Sequence, residues 1–296
     1  MTRDIRQSTG RERWVVLHYH IFKNAGCTVD AILQRHFGDD FVALHGDSDD
    51  ARLCSDDVAR LLRDDPDVRA ITSHHLRYPK PVVPGVVFFD ICFIRHPLAR
   101  IRSLYYYGRR LDPASKLGAL AQRHDERAFL ECLVDTSPHI LSDVQVHYLA
   151  HGGAFARPAG EDDCRRAEAI FRDASVAGVV ELFDVCMTTA EYFLAPVFPG
   201  IDCASAPLNV SSPHAPAVAQ TSDELSSMCR AAWGDRLCDE IERLNVWDMR
   251  LYHAARSEAT RRFAMLPKGA ARLADLQERN GHASTTMTAD EQHIAA

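Results

Sequence analysis

The sequence predicts an α/β protein in which helices flank a doubly wound parallel sheet within a single domain. Patterns typical of strands and of helices alternate along the chain, as such a sheet requires. The segment 86–94 is apolar except for Asp90 and rich in β-branched and aromatic residues, which is typical of a buried parallel strand. With 296 residues, 46% of them hydrophobic, the chain can bury one large core, or a core with a small appended lobe.

An apolar segment beginning at Trp14 runs into a turn with the layout of a phosphate-binding loop. Backbone N–H groups at the start of a helix are unpaired and carry the positive end of the helix dipole. The turn can therefore hold an anion, to which a lysine adds a full charge. The residues predicted to form this site are Lys23, Asn24, Ala25, Gly26, Cys27 and Thr28.

A second anion site is predicted where the strand 86–94 ends. Pro97 suits the first turn of a helix, because its missing N–H has no partner to lose there. Arg95 at the strand end and Ser103 two turns into this helix can converge on one anion, with the arginine binding it bidentately. Considered alone, Lys23 or Arg95 would be interpreted as an ordinary solvated charge. Together, at the carboxyl ends of parallel strands, they indicate a ligand with phosphates at both ends.

The remaining elements follow from shorter patterns. Segments typical of helices are 55–63, 125–134, 143–150, 161–173, 185–194 and 222–244. Two further buried strands are predicted at 68–73 and 176–180. A proline-rich loop is predicted between 196 and 216.

The first turn resembles the 5′-phosphosulfate loop of sulfotransferases that use 3′-phosphoadenosine 5′-phosphosulfate (PAPS) as donor. That loop is commonly Pro-Lys-Thr-Ala-Gly-Thr-Ser/Thr, and Lys23-Asn-Ala-Gly-Cys-Thr28 stands in its place. The spacing from Arg95 to Ser103 matches the family's 3′-phosphate site, with His96 where Asp or Asn is usual. The resemblance implies a P-loop-like fold and transfer of a sulfuryl group to a hydroxyl of a glycan or small-molecule acceptor.

Further segments extend this resemblance to about residues 14–255. Glu181-Leu-Phe-Asp184, Leu208-Asn-Val-Ser211 and Trp247-Asp-Met-Arg-Leu-Tyr252 are similar to family segments. In such an enzyme Lys23 would stabilise the bridging oxygen of the leaving 5′-phosphate, and Arg95 with Ser103 would hold the 3′-phosphate. PAPS would be the sulfate-donor co-substrate, and the resemblance implies no metal.

A candidate for the base that deprotonates the acceptor lies after the predicted strand 68–73. The segment Thr72–Tyr78 resembles the Gly-His-x-x-Tyr segment of the branch like heparan sulfate 2-O-sulfotransferases, which implies that His75 is the base. Histidine suits this task because its pKa lies near operating pH. With 15 histidines in the chain, a solvated turn is the competing interpretation.

A metal site is conceivable but not expected. His18 and His20 flank Tyr19 in the first strand and point to one face. No carboxylate or cysteine in the pattern completes a set with them and His75, so no metal is predicted.

Charge and composition argue against some partners and for one compartment. The net charge of −7 speaks against a general nucleic-acid binder. Nine scattered cysteines without a Cys-x-x-Cys pair favour a reducing compartment. The start of the chain lacks the apolar stretch of a signal peptide and no apolar run reaches the length of a membrane span, so a cytoplasmic, bacterial-type soluble member of the family is expected. The pattern leaves the oligomeric state open.

The predicted organisation is an N-terminal tail over 1–13, a sulfotransferase domain over 14–256, and a C-terminal helical extension with a disordered tail over 257–296. Disorder is expected over 281–296, where the residues are polar and small. Two other functions stay open. A nucleotide-dependent kinase on a related P-loop-like fold would need a magnesium-binding hydroxyl after the lysine, where this chain has Asn24. A catalytically inactive nucleotide-binding module would keep the fold without the base.

Overall fold

Five parallel strands form one sheet in the computed structural model, which describes residues 12–48, 51–152, 157–205 and 221–286. The order across the sheet is β2-β3-β1-β4-β5, and every pair of neighbours is parallel. The predicted α/β class and doubly wound parallel sheet are therefore confirmed. The strands are β1 (Arg13–Tyr19), β2 (Phe41–Ala43), β3 (Ala70–Ser73), β4 (Val86–Ile94) and β5 (Val176–Val179).

Helices cover both faces of this sheet and extend beyond it. The helix after β1 begins at Gly26, within the turn predicted there, and the helix after β4 begins at Pro97, as predicted. The described helices are α1 (Gly26–Phe37), α2 (Ser55–Asp64), α3 (Pro97–Gly108), α4 (Lys116–Arg123), α5 (Glu126–Thr136), α6 (Val144–Ala150), α7 (Glu161–Asp173), α8 (Phe183–Leu194), α9 (Ser222–Trp233), α10 (Asp235–Leu244), α11 (Val246–Ala264) and α12 (Gly269–Thr286).

The buried side chains form two clusters. The larger surrounds the sheet and includes most of β1 and β4, whose apolar runs are covered on both faces. The smaller joins α3, α4, α5, α9 and α10 around the fully buried Phe129 and Trp233. The helix α3, which follows the second predicted anion site, contributes its buried side chains to the smaller cluster.

Strand order places both predicted anion sites at one crevice. β1 is central, with β3 on one side and β4 on the other, so the connections after β1 and after β4 leave in opposite directions. In open parallel sheets a ligand binds at such a point, outside the carboxyl ends of the strands. The turn at Lys23 and the turn at Arg95 both lie there.

The C-terminal boundaries differ from those predicted. The boundary between 256 and 257 falls inside α11, which continues to Ala264. Disorder was expected over 281–296, but residues 281–286 complete α12, and α12 packs on α8 through the bond from Asn280 Nδ2 to Asp184 Oδ1 (3.0 Å). The segment Leu208–Ser211, the tail before residue 12 and residues 287–296 lie outside the described part of the chain. No described helix is both long and apolar enough to cross a membrane.

Two buried aspartates join α6 to α11. Asp143 Oδ1 accepts the N–H groups of Trp247 (3.0 Å) and Asp248 (2.9 Å) at the start of α11. Asp248 in turn accepts the N–H groups of Gln145 (3.1 Å) and Val146 (2.8 Å) at the start of α6. Each carboxylate therefore caps the other's helix, which satisfies N–H groups that would otherwise be buried without a partner.

Asp143→Asn should flatten the pH dependence of stability. Burial, and then the charge of Asp248, raise the pKa of Asp143 to about 7. Between about pH 4 and pH 7 the folded protein therefore binds more protons at this site than the unfolded chain, so stability falls as pH rises, by at most about 1.4 kcal/mol per pH unit. Asparagine keeps the accepting oxygen without titrating. In urea unfolding at a series of pH values, the free energy of unfolding of Asp143→Asn should rise relative to that of the wild type up to about pH 7. Parallel pH profiles of the two proteins would contradict this account.

Candidate anion-binding site

The turn between β1 and α1 has a backbone arranged to hold an anion. Lys23 (φ 68°) and Ala25 (φ 61°) both adopt the left-handed conformation, which is costly for residues with a Cβ and recurs in backbone nests that bind anions. The N–H groups of Ala25 and Gly26 have no acceptor within the described residues. Thr28 differs from the prediction, because its N–H already donates to the carbonyl of Ala25 (3.1 Å).

The side chain of Lys23 lies across an aromatic surface at the mouth of the crevice. Its Nζ is 4.3 Å from the ring centre of Tyr107 and 5.5 Å from that of Phe22. Burial lowers the pKa of Lys23 to about 8, and the nearby charges of Arg110 and Arg95 act in the same direction. A negative charge close to the ammonium would act in the opposite direction to the two arginines and raise this pKa.

Arg95 connects the two turns directly. Its Nη1 donates to the carbonyl of Lys23 (3.0 Å), across 72 residues of sequence. Its Nε is buried and has no acceptor within the described residues. Burial lowers the pKa of Arg95, while Glu181 acts to raise it. The guanidinium is therefore positioned between the two motifs with hydrogen-bonding capacity left over.

Gln145, on α6, holds both turns with one amide group. Its Oε1 accepts from Asn24 Nδ2 (2.8 Å) and from the N–H of Arg95 (2.8 Å). Its Nε2 donates to the carbonyl of Arg95 (2.9 Å) and to Asp248 Oδ2 (3.2 Å). Asn24, which also donates to the carbonyl of Phe93 (2.7 Å), is thus a buried support of the loop whose side chain points into the protein.

Ser103 and Cys27 lie on the elements expected to carry them. Ser103 is buried in the second turn of α3, one helical turn before Tyr107 and therefore on the face of the helix that Lys23 covers. Cys27 is exposed at the start of α1. Their predicted contacts with a donor, like that of the Thr28 hydroxyl, stay predictions.

Unsatisfied polar atoms concentrate beside these turns. Of the eight buried side-chain nitrogen and oxygen atoms without a hydrogen-bond partner in the described residues, five belong to Asn24, Arg95, His96 and Glu181. Both ring nitrogens of His96 are among them, and burial lowers the pKa of this ring to about 4. Burial also raises the pKa of Glu181, whose Oε1 accepts the N–H of His96 (3.1 Å). Buried polar atoms are usually bonded, so this concentration fits a site that receives a polar ligand.

A carboxylate joins the two histidines of β1 on the other side of the turn. Asp30, one turn into α1, accepts from His18 Nδ1 (2.7 Å) through Oδ1 and from His20 Nδ1 (2.8 Å) through Oδ2. Burial acts to raise the pKa of Asp30, but the two histidines outweigh it and hold that pKa well below its usual range. The sequence pattern showed the two histidines and missed Asp30. Its position four residues after Gly26, on the helix face that turns toward β1, was the available signal.

His74 and His75 differ in their surroundings. His74 packs on His20, with ring centres 3.8 Å apart, and donates from Nδ1 to the carbonyl of His20 (2.9 Å). Burial, and then the charge of His20, lower the pKa of His74 to about 3. His75 Nδ1 accepts the N–H of Gly46 (2.8 Å), so the neutral ring carries its proton on Nε2. The role of base expected for His75 stays a prediction, and it would require a change of tautomer.

Within the described residues, one group of potential ligand atoms is compact enough for a metal ion, namely that of His18, His20 and Asp30. The nitrogen–oxygen distances of 2.7 and 2.8 Å are those of hydrogen bonds. Two ligands each about 2.1 Å from one tetrahedral ion lie about 3.4 Å apart. The group therefore has the geometry of a hydrogen-bonded network.

The chain is similar to a curated archaeal protein over about two thirds of its length. No family model matches the chain. Among curated proteins, it is similar to an uncharacterized protein of Archaeoglobus fulgidus, with 28% identity over 214 residues that cover 69% of this chain and 83% of the relative. This similarity carries no statement of function.

Proposed function

We propose that the protein is a sulfotransferase that moves a sulfuryl group from PAPS to a hydroxyl of a glycan or small-molecule acceptor. The observation that carries the proposal is the direct connection of two anion-binding turns, through Arg95 Nη1 and the carbonyl of Lys23, at the carboxyl ends of β1 and β4. A nucleotide with phosphates on both the 3′ and the 5′ position suits two such turns. The unsatisfied polar atoms of Arg95, His96 and Glu181 support a polar ligand beside them.

The residues of the two turns would act by positioning and by electrostatics. The N–H groups of Ala25 and Gly26 would bind the 5′-phosphate, and the Lys23 ammonium would neutralise charge that develops on its bridging oxygen. Arg95 would hold the 3′-phosphate with its free guanidinium edge, with Ser103 nearby on α3. A sulfuryl group fixed in this way requires only an aligned acceptor oxygen and a group to take its proton.

Adenosine 3′,5′-bisphosphate, the product nucleotide, should raise the melting temperature. A ligand that binds only the native state stabilises it by mass action, by about 2.7 kcal/mol at a hundred times its Kd. Adenosine 5′-phosphate, which lacks the 3′-phosphate, should shift the melting temperature less, and ATP with magnesium should also do less. A shift with ATP and magnesium alone would contradict the proposal and favour the kinase.

Arg95→Ala should weaken the binding of the 3′-phosphate and leave the binding of the 5′-phosphate almost unchanged. Loss of a charge-assisted bidentate contact costs about 1.5–3 kcal/mol, so affinity for the bisphosphate should fall about 10- to 150-fold while affinity for adenosine 5′-phosphate changes little. Arg109→Ala is the matched control, because Arg109 is exposed directly after α3, and it should leave both affinities unchanged. Equal losses for both nucleotides in titration calorimetry would show that Arg95 only supports the turn.

A further inference from the structure

The end of β1 places His20 between a carboxylate and the anion-binding turn. Its Nδ1 donates to Asp30 Oδ2 (2.8 Å). The opposite edge of the ring lies against Gly26, because a Cβ built on this glycine would be 2.0 Å from Nε2. Nε2 itself makes no hydrogen bond with the described residues. The ring is thus held at one nitrogen and presents the other to the first residue of α1.

This arrangement defines the chemistry of the free nitrogen. With its proton on Nδ1 for Asp30, the neutral ring has a lone pair on Nε2. A carboxylate on the far side of an imidazole fixes the tautomer and stabilises the imidazolium that forms when Nε2 takes a proton. Burial lowers the pKa of His20, and the charges of His18 and Lys23 act in the same direction, while Asp30 acts to raise it.

Two neighbouring histidines are less suited to accept a proton. His75 carries its proton on Nε2, because its Nδ1 accepts from Gly46. His74 has its proton on Nδ1, but the pKa of about 3 makes its free nitrogen a weak base near neutral pH. In addition, its ring packs on that of His20.

We propose that His20, oriented by Asp30, is the group that takes the acceptor's proton. This inference rests on the proposed function. As the acceptor oxygen forms its bond to sulfur, its proton passes to His20 Nε2. The bond between sulfur and the bridging oxygen breaks, and its electron pair stays on the 5′-phosphate beside Lys23. The imidazolium then lies between the Asp30 carboxylate and the product phosphate, where both negative charges stabilise it.

Three single variants test the assignment: His20→Gln, His75→Gln, and His124→Gln as a control in the exposed loop between α4 and α5. Calorimetry with adenosine 3′,5′-bisphosphate reports the donor site, and release of that nucleotide from PAPS, with water as acceptor, reports turnover. We expect all three variants to bind the bisphosphate within about threefold of the wild type. Turnover should fall about 10²–10⁴-fold in His20→Gln alone. Normal turnover in His20→Gln, or a loss that falls on His75→Gln, would overturn the inference.

Asp30→Asn supplies a measurement that a purely structural role would not change. The amide no longer stabilises the imidazolium, so the acidic limb of the pH–turnover profile should move to lower pH and the plateau should fall. An unmoved limb would overturn the inference.

Nitrogen-15 NMR of histidine-labelled wild-type protein should show that His20 carries a proton on Nδ1 and none on Nε2. The chemical shift of Nε2 should change when the bisphosphate binds. A protonated Nε2 would overturn the assignment even if the variants did not fold. Failure of the wild type to bind the bisphosphate would instead refute the proposed function, which keeps the two failures distinct.

Discussion

Lys23→Met should lower the turnover of PAPS by about 10²–10³-fold, the usual cost of removing a group that stabilises charge as it develops. Methionine keeps an unbranched apolar stem that can cover Tyr107, as the lysine does, so the change removes the ammonium with little loss of packing. The pKa of Lys23 near 8 adds a second signature. In the wild type, affinity for adenosine 3′,5′-bisphosphate should weaken as pH rises through 8 and the lysine loses its charge, and this dependence should be absent from Lys23→Met.

Lys116→Met is the matched control, because Lys116 is exposed at the start of α4. It should leave both turnover and the pH dependence of binding as in the wild type. If Lys23→Met kept its turnover within a factor of about three, the charge of Lys23 would not act on the leaving phosphate.

Gly26→Ala should damage the site and the fold together. A Cβ at this position would lie 2.0 Å from two atoms of the His20 ring, closer than non-bonded atoms can approach. Either His20 leaves Asp30 or the start of α1 moves. We expect a loss of about 1–3 kcal/mol in the free energy of unfolding and at least a tenfold loss in bisphosphate affinity, which corresponds to about 1.4 kcal/mol.

A double-mutant cycle identifies the cause of the Gly26→Ala effect. With His20→Ala in the background, the added methyl group has space, so the two costs in unfolding free energy should sum to more than the cost of the double variant. Gly281→Ala, on α12 with nothing within 4 Å of the new methyl, should be neutral or stabilising by up to about 1 kcal/mol. Additive costs in the cycle would mean that the clash with His20 is not the cause.

The parts of the fold that could be predicted are those with a strong local signal. β4 matches its apolar run from Val86 to Ile94, and Pro97 begins α3 as its missing N–H suggests. The turns at Lys23 and Arg95 were found because each follows such a strand. Elements without a local signal were missed, for example β2, whose three residues from Phe41 to Ala43 are defined mainly by pairing with β3.

The parts of the site that escaped prediction depend on contacts between distant residues. Gln145 lies 121 positions from Asn24 and 50 from Arg95, and nothing in its neighbourhood distinguishes it from any glutamine on a helix. The histidines show the same limit. His75 and His20 have equal chemistry in the sequence, and they differ because folding brings a backbone N–H to one and the carboxylate of Asp30 to the other.

The amide of Gln145 gives the crevice a fixed span. Because one planar group binds both the support of the Lys23 turn and the backbone of Arg95, the two turns cannot separate or approach without breaking several buried hydrogen bonds. For the proposed bisphosphate ligand, this fixed span would set the distance required between its two phosphates. Ligands with the right charge but the wrong spacing would engage one turn only. Selectivity for the bisphosphate would then come from the rigidity of the protein between its two proposed anion sites as much as from either site alone.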